Sequence, residues 1–136
     1  MTTFKVQTTI SKSGVREGDP HVRLYCGEII ITAIKLGEER KKRLRFEFQL
    51  IVGRDRQAFY LKVWVGDKLI LEDDSEKDDS LFLEEEIYVK GFVLAQICDC
   101  IETLGMEKET VGTIECTYTD LYPRAELALL NFCQKN

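Results

Sequence analysis

Cys98-Asp99-Cys100 is the first place in this chain where side chains of the right type crowd together for chemistry. Two thiols flanking a carboxylate could hold a metal or cycle through a disulfide. The spacing argues against both. The apolar residues around the pair repeat at helical intervals, and on a helix residues two apart point about 200° away from each other, so the thiols cannot share one ion. The same pattern predicts Cys98 on the apolar stripe and Cys100 off it. The remaining cysteines, Cys26, Cys116 and Cys133, bring the total to five, an odd number at irregular spacing. They read as reduced thiols used mostly as small buried hydrophobes. No Cys-x2-Cys element is present, and the single histidine, His21, excludes any mechanism that needs a histidine pair. Asp74, Glu76, Asp78, Ser80, Phe82 and Glu85 can be laid on a calcium-loop template, but its glycine position holds Asp79. There is no nucleophile elbow, phosphate-cradling glycine loop or dinucleotide fingerprint. The expectation is a protein that is not an enzyme and has neither metal nor cofactor.

A second concentration of chemistry is RKKRLRFEFQL, residues 40 to 50, where four cations lead into a strict alternation of polar and apolar residues. Cations interleaved with aromatics are the means by which sheets bind single-stranded nucleic acid, with bases stacked on rings and phosphates held by cations. They are equally the residues that concentrate binding energy at protein interfaces. The candidate partner-binding set is Arg40, Lys41, Lys42, Arg43, Arg45, Tyr60, Lys62 and Trp64.

Charge bears on the choice. The net charge is −5, which disfavours long-range attraction to a polyanion. The charge is also segregated. Residues 40 to 68 hold nine Lys/Arg against three Asp/Glu, and residues 72 to 86 hold nine Asp/Glu against Lys77 alone. A basic sheet surface lying near that acidic stretch would be partly neutralised by it. The N-terminal MTTFKVQTTISKSG lacks a signal-peptide core, and no window approaches a membrane span, so a cytoplasmic address is expected.

The elements that position these residues follow from periodicity. Phe4, Val6, Thr8 and Ile10 alternate as a strand, residues 11 to 20 read as a loop, and His21 to Leu36 is strand-like, with Gly27 as a bulge or bend. The run from Ile29 to Ile34 is apolar on both parities, which predicts a central strand covered on both faces. From Lys42 to Val65 a hairpin is expected. Apolar side chains meet across it only if paired residue numbers sum to an odd value, and a turn at Gly53–Arg56 makes that sum 109. Arg45 then faces Trp64, Glu47 faces Lys62 and Gln49 faces Tyr60. Gly66-Asp67 predicts a type II′ turn into a short strand, 68–71, whose register the pattern does not fix.

Beyond the acidic stretch, Val93, Leu94, Ile97, Cys98, Ile101 and Leu104 form a helical stripe closed by Gly105. Residues 81 to 90 read either as the first turns of that helix, with Ser80 as N-cap, or as a separate strand. Val111–Tyr118 predicts a strand, and Pro123 opens a last helix. The expected fold is α+β in a single domain, 1–136. It has a mainly antiparallel sheet of five to seven strands with a central meander over 42–71, and one or two helices, about 87–104 and 123–134, packed on one face. The functional expectation is a small protein-binding module, an accessory, inhibitor or immunity-type protein that uses the basic and aromatic face and the acidic loop. The alternative is single-stranded nucleic-acid binding by the same face, and a thiol or metal enzyme stands third. A homodimer through the edge of strand 68–71 or through the Val93–Leu104 helix is a further expectation.

Overall fold

The computed structural model describes residues 2–15, 22–52, 57–75, 82–105, 111–118 and 123–135. The expected turn at Gly53–Arg56, His21 and the calcium-template positions Glu76, Asp78, Asp79 and Ser80 lie outside that set. The chain runs β1 (Thr3–Val15), β2 (Val22–Lys35), β3 (Glu38–Val52), β4 (Gln57–Val65), β5 (Lys68–Asp74), α1 (Glu84–Leu104), β6 (Val111–Tyr118) and α2 (Pro123–Lys135). The six strands form one sheet in the order β5-β4-β3-β2-β1-β6, and every pairing is antiparallel. Both helices pack on one face, as expected for an α+β fold. Among the described residues no helix is long and apolar enough to cross a membrane.

The core lies between that face and the helices. Phe4, Val6 and Ile10 of β1, Tyr25, Ile29 and Ile31 of β2, Leu44, Phe46 and Phe48 of β3, and Leu61 and Val63 of β4 meet Val89, Val93, Ile97 and Cys100 of α1 and Leu129 and Phe132 of α2. The predicted β3–β4 register is the observed one. Phe46 faces Val63, Phe48 faces Leu61 and Leu50 faces Phe59, all summing to 109. A register shift between Val63 and Trp64 sets the pairing of β5. That bulge explains why side-chain alternation alone could not place residues 68–71. Gly66 has a φ of 58°, while Asp67 does not enter the positive region, which is the arrangement of the expected type II′ turn.

β1 runs on to Val15, so residues 11–15 continue the strand where a loop was expected. Four further expectations are corrected. Gly27 is no bulge. It pairs directly with Ile10 and Phe46, and a Cβ there would run into the Thr9 carbonyl and the Phe46 ring, so glycine is required for close strand approach. The 29–34 run is central, but helices cover only one of its faces, and Ile30 and Ile34 sit half-buried on the other. β2 and β3 join at a two-residue turn, Leu36-Gly37, with φ of 52° and 80°, so β3 begins well before Lys42. A leucine in the left-handed region costs about 1–2 kcal/mol, and this one is 91% exposed.

The fourth correction concerns α1. Residues from Glu84 onward are helix, N-capped by Leu83, with Glu84, Glu85 and Glu86 at the positive end of its dipole and Gly105 as a left-handed C-cap. Its buried side carries Val89, Lys90, Val93, Gln96, Ile97 and Cys100. Cys100 is therefore buried and Cys98 exposed, the reverse of the expected placement.

Candidate functional site

Alternation along the strands sends one set of side chains to the helices and the other to an open face. The pairings give that face in rows. One row runs Thr113, Thr9, Glu28, Arg45, Trp64 and Leu69, and the next runs Val111, Ser11, Cys26, Glu47, Lys62 and Glu72. A third places Leu24, Gln49, Tyr60 and Asp74 side by side. Toward the Leu36 turn lie Gln7, Ile30 and Arg43, and then Lys5, Thr32 and Lys41.

All three predicted cross-strand pairings are present, Gln49 opposite Tyr60 among them. The Arg45 guanidinium lies 4.3 Å from the centroid of the Trp64 ring, and Glu47 is directly opposite Lys62. Arg43 Nη1 reaches Glu28 Oε2 at 3.8 Å, a diagonal pair that the sequence did not disclose. Tyr60 is 48% exposed. It forms one wall of a depression of about 390 Å³ whose lining includes Leu24, Cys26, Glu47, Gln49 and Lys62. Across the strand pairing from Cys26, the hydroxyl of Ser11 lies 3.4 Å from both the carbonyl oxygen and the thiol of Cys26.

Of the candidate set, Lys41, Arg43, Arg45, Tyr60, Lys62 and Trp64 share this face. Lys42 does not. It has the parity of Leu44 and Phe46, is 8% exposed, and lies close enough to Cys133 in the last turn of α2 to lower that thiol's pKa against the larger upward push of burial. There its ammonium sits near the negative end of the helix dipole. Lys42 is a structural cation, placed by the same alternation that makes its neighbours core. Arg40 also has Lys42's parity, but it is exposed in the arm of β3, Glu38–Arg43, that extends past β4 toward the Leu36 turn.

The face is not a positive surface. Lys5, Lys41, Arg43, Arg45 and Lys62 share it with Glu28, Glu39, Glu47, Glu72, Asp74 and Glu115, which more than equal them in number. The carboxylates come from β2, β3, β5 and β6, with Glu28 opposite Arg45, Glu47 opposite Lys62 and Glu72 on the other side of Lys62, so the cations are neutralised in place.

The two thiols on α1 are held toward the protonated form. Burial, followed by Asp99, pushes Cys100 up to about 11. Cys98 is raised by desolvation and then by Asp99 and Glu102. A thiol held protonated is a poor nucleophile and a poor ligand. Among the described residues no three His, Cys, Asp or Glu side chains come together in a way that could hold a metal ion.

Sequence reasoning missed the polar groups on the covered face. Lys90 Nζ of α1 lies 3.2 Å from Asp73 Oδ2 of β5 and 5.0 Å from the centroid of the Phe82 ring. Gln96 is 1% exposed and donates to the Tyr118 hydroxyl at 2.6 Å, while its carbonyl accepts from Thr8 at 3.3 Å and from the Cys116 thiol at 3.5 Å. Charged and amide side chains interrupting a helix stripe were the available signal. Compared with known proteins, the chain matches no family model, no curated protein and no solved structure.

Proposed function

We propose that the protein binds another protein across the open face of the sheet, with Trp64, Arg45 and Tyr60 at the centre of the contact. The observation that supports this most directly is the composition of that face. A half-buried tryptophan lies under an arginine, and on the same face an exposed tyrosine lines a depression with Leu24, Cys26 and Lys62, amid charges of both signs. Tryptophan, tyrosine and arginine dominate interface energetics, and a mosaic of opposite charges selects a complementary mosaic and sets its register. A polyanion needs a net positive potential instead, and the carboxylates beside Arg43, Arg45 and Lys62 remove it. The binding role needs neither catalysis nor a cofactor.

The test is affinity capture from native extract, with and without nuclease, repeated with the Arg45→Ala/Trp64→Ala variant. Nuclease-resistant capture that the double variant loses, with its unfolding midpoint nearly unchanged, is the expected result. Capture that survives both substitutions would remove this face from consideration. Capture abolished by nuclease would assign the face to nucleic acid.

A further inference from the structure

Among the described residues the sheet has exposed strand edges, and all but one of them carry a device against pairing with another chain. β5 is short, is bulged relative to β4, carries Lys68 and Glu72, and turns the charged Asp73 inward. The arm of β3 beyond β4, Glu38–Arg43, is charged at every position. The end of β1 beyond β6 has Lys12 and a register shift. Short strands, bulges, lysines and inward-pointing charges are the means by which proteins blunt such edges.

β6 has none of them. Val111–Tyr118 pairs with β1 over eight consecutive residues without a shift, and among the described residues no strand lies on its outer side. Glu115 is its sole charge, and it contains neither lysine nor proline. Its even-numbered residues face the helices, with Ile114, Cys116 and Tyr118 only partly buried against the core, and its odd-numbered residues are exposed. An edge strand turns alternate N–H and C=O groups outward, and here those groups have no strand to pair with.

We infer that β6 pairs antiparallel with β6 of a second copy, joining two sheets into one across a two-fold axis. The strand's own sequence selects the occupant and the register. With the axis at Ile114, Ile114 meets its own copy and Gly112 meets Cys116 on the helix side. On the open side Thr113 meets Glu115 and Val111 meets Thr117. No like charges are opposed, and the partly buried Ile114 gains a further apolar neighbour. Moving the axis to Glu115 sets two carboxylates directly opposite each other. An axis between residues sends Ile114 to the opposite face from its partner. An axis at Thr113 or Cys116 shortens the paired stretch. A two-fold interface requires one surface to complement itself, and this strand does so in one register, which pairs Val111–Thr117 with its copy.

Thr113 is exposed on the open face, so substituting it tests the register without disturbing the core. Sedimentation over a range of concentrations should show a monomer–dimer equilibrium for the wild-type chain. Thr113→Lys places a cation opposite Glu115 of the other copy, twice per dimer, and should tighten the dimer Kd by roughly two- to thirty-fold. Thr113→Glu should weaken it by a comparable factor, and the charge-swapped Thr113→Glu/Glu115→Lys variant should restore it. Circular dichroism checks that each variant is folded. If either single variant is not, the wild-type chain and the charge-swapped variant decide, through concentration-dependent protection of β6 amides from hydrogen exchange. A wild-type chain that stays monomeric at its highest soluble concentration overturns the inference. So does a dimer that does not respond in opposite directions to the two single substitutions, or one formed without added protection in β6.

Discussion

The two faces of the sheet use their polar residues differently. On the helix-covered face two buried polar side chains of α1 have specific partners on other elements: Lys90 on Asp73, and Gln96 on Thr8, Tyr118 and Cys116. On the open face the polar groups stand in rows, each within reach of several neighbours, as Arg43 reaches Glu28 across a diagonal while Arg45 stacks on Trp64. Water can replace these contacts on the open face but not those on the covered one. Loss of a covered-face partner therefore strands a buried group, and stability resides there. The open face is left to vary with whatever it contacts.

The largest effect that follows is at Lys90. Replacing it with methionine keeps the stem packing but leaves the Asp73 carboxylate buried without its cation, a loss of about 3–5 kcal/mol. Urea unfolding should show the midpoint falling accordingly. The double variant Lys90→Met/Asp73→Leu should recover to within about 1 kcal/mol of the wild type or exceed it, because a packed apolar pair removes the desolvation cost of both ions. If the single variant were as stable as the wild type, the contrast between the faces would fail at its strongest point.

Gln96 comes next. Gln96→Leu fits the apolar surroundings but leaves Thr8, Tyr118 and Cys116 without the amide that joins them, and it should cost about 2–3 kcal/mol. Because these partners belong to β1 and β6, hydrogen exchange should accelerate first along the β1–β6 pairing. A uniform acceleration across the sheet would show that the amide serves general packing rather than pinning the edge strand to the helix.

This division was only half legible in the sequence. The β3–β4 register could be read because a slip of one residue would bury Lys62 among phenylalanines, so the pattern admits a single answer. No such conflict marks β2, where the 29–34 run is apolar on both parities and the turn is made at a leucine. The row that joins Glu28 to Arg45 therefore could not be foreseen. The helix was found but turned about its axis. A reading that counts only apolar residues passes over Lys90 and Gln96, and the stripe it yields contains Leu94 and Cys98 in place of Val89 and Cys100. The segregation of charge was visible as two blocks, but the carboxylates that stand among the basic residues of the open face come from β2, β3, β5 and β6. Which of them share that face follows from strand order and register, not from the blocks.

The smallest effect is the sharpest test of the comparison. Arg45 makes the best-defined contact on the open face, 4.3 Å over Trp64, and an exposed cation–π pair contributes about 0.5–1 kcal/mol. Arg45→Ala should therefore lower stability by less than about 1 kcal/mol by urea unfolding, several times less than Lys90→Met. A loss as large as that of Lys90→Met would mean that the open face carries as much of the fold's stability as the covered one. The tryptophan and arginine would then be occupied in holding the sheet together, and the protein-binding role would lose the surface proposed for it. A small loss of stability leaves both residues free to be used by a partner, as that role requires.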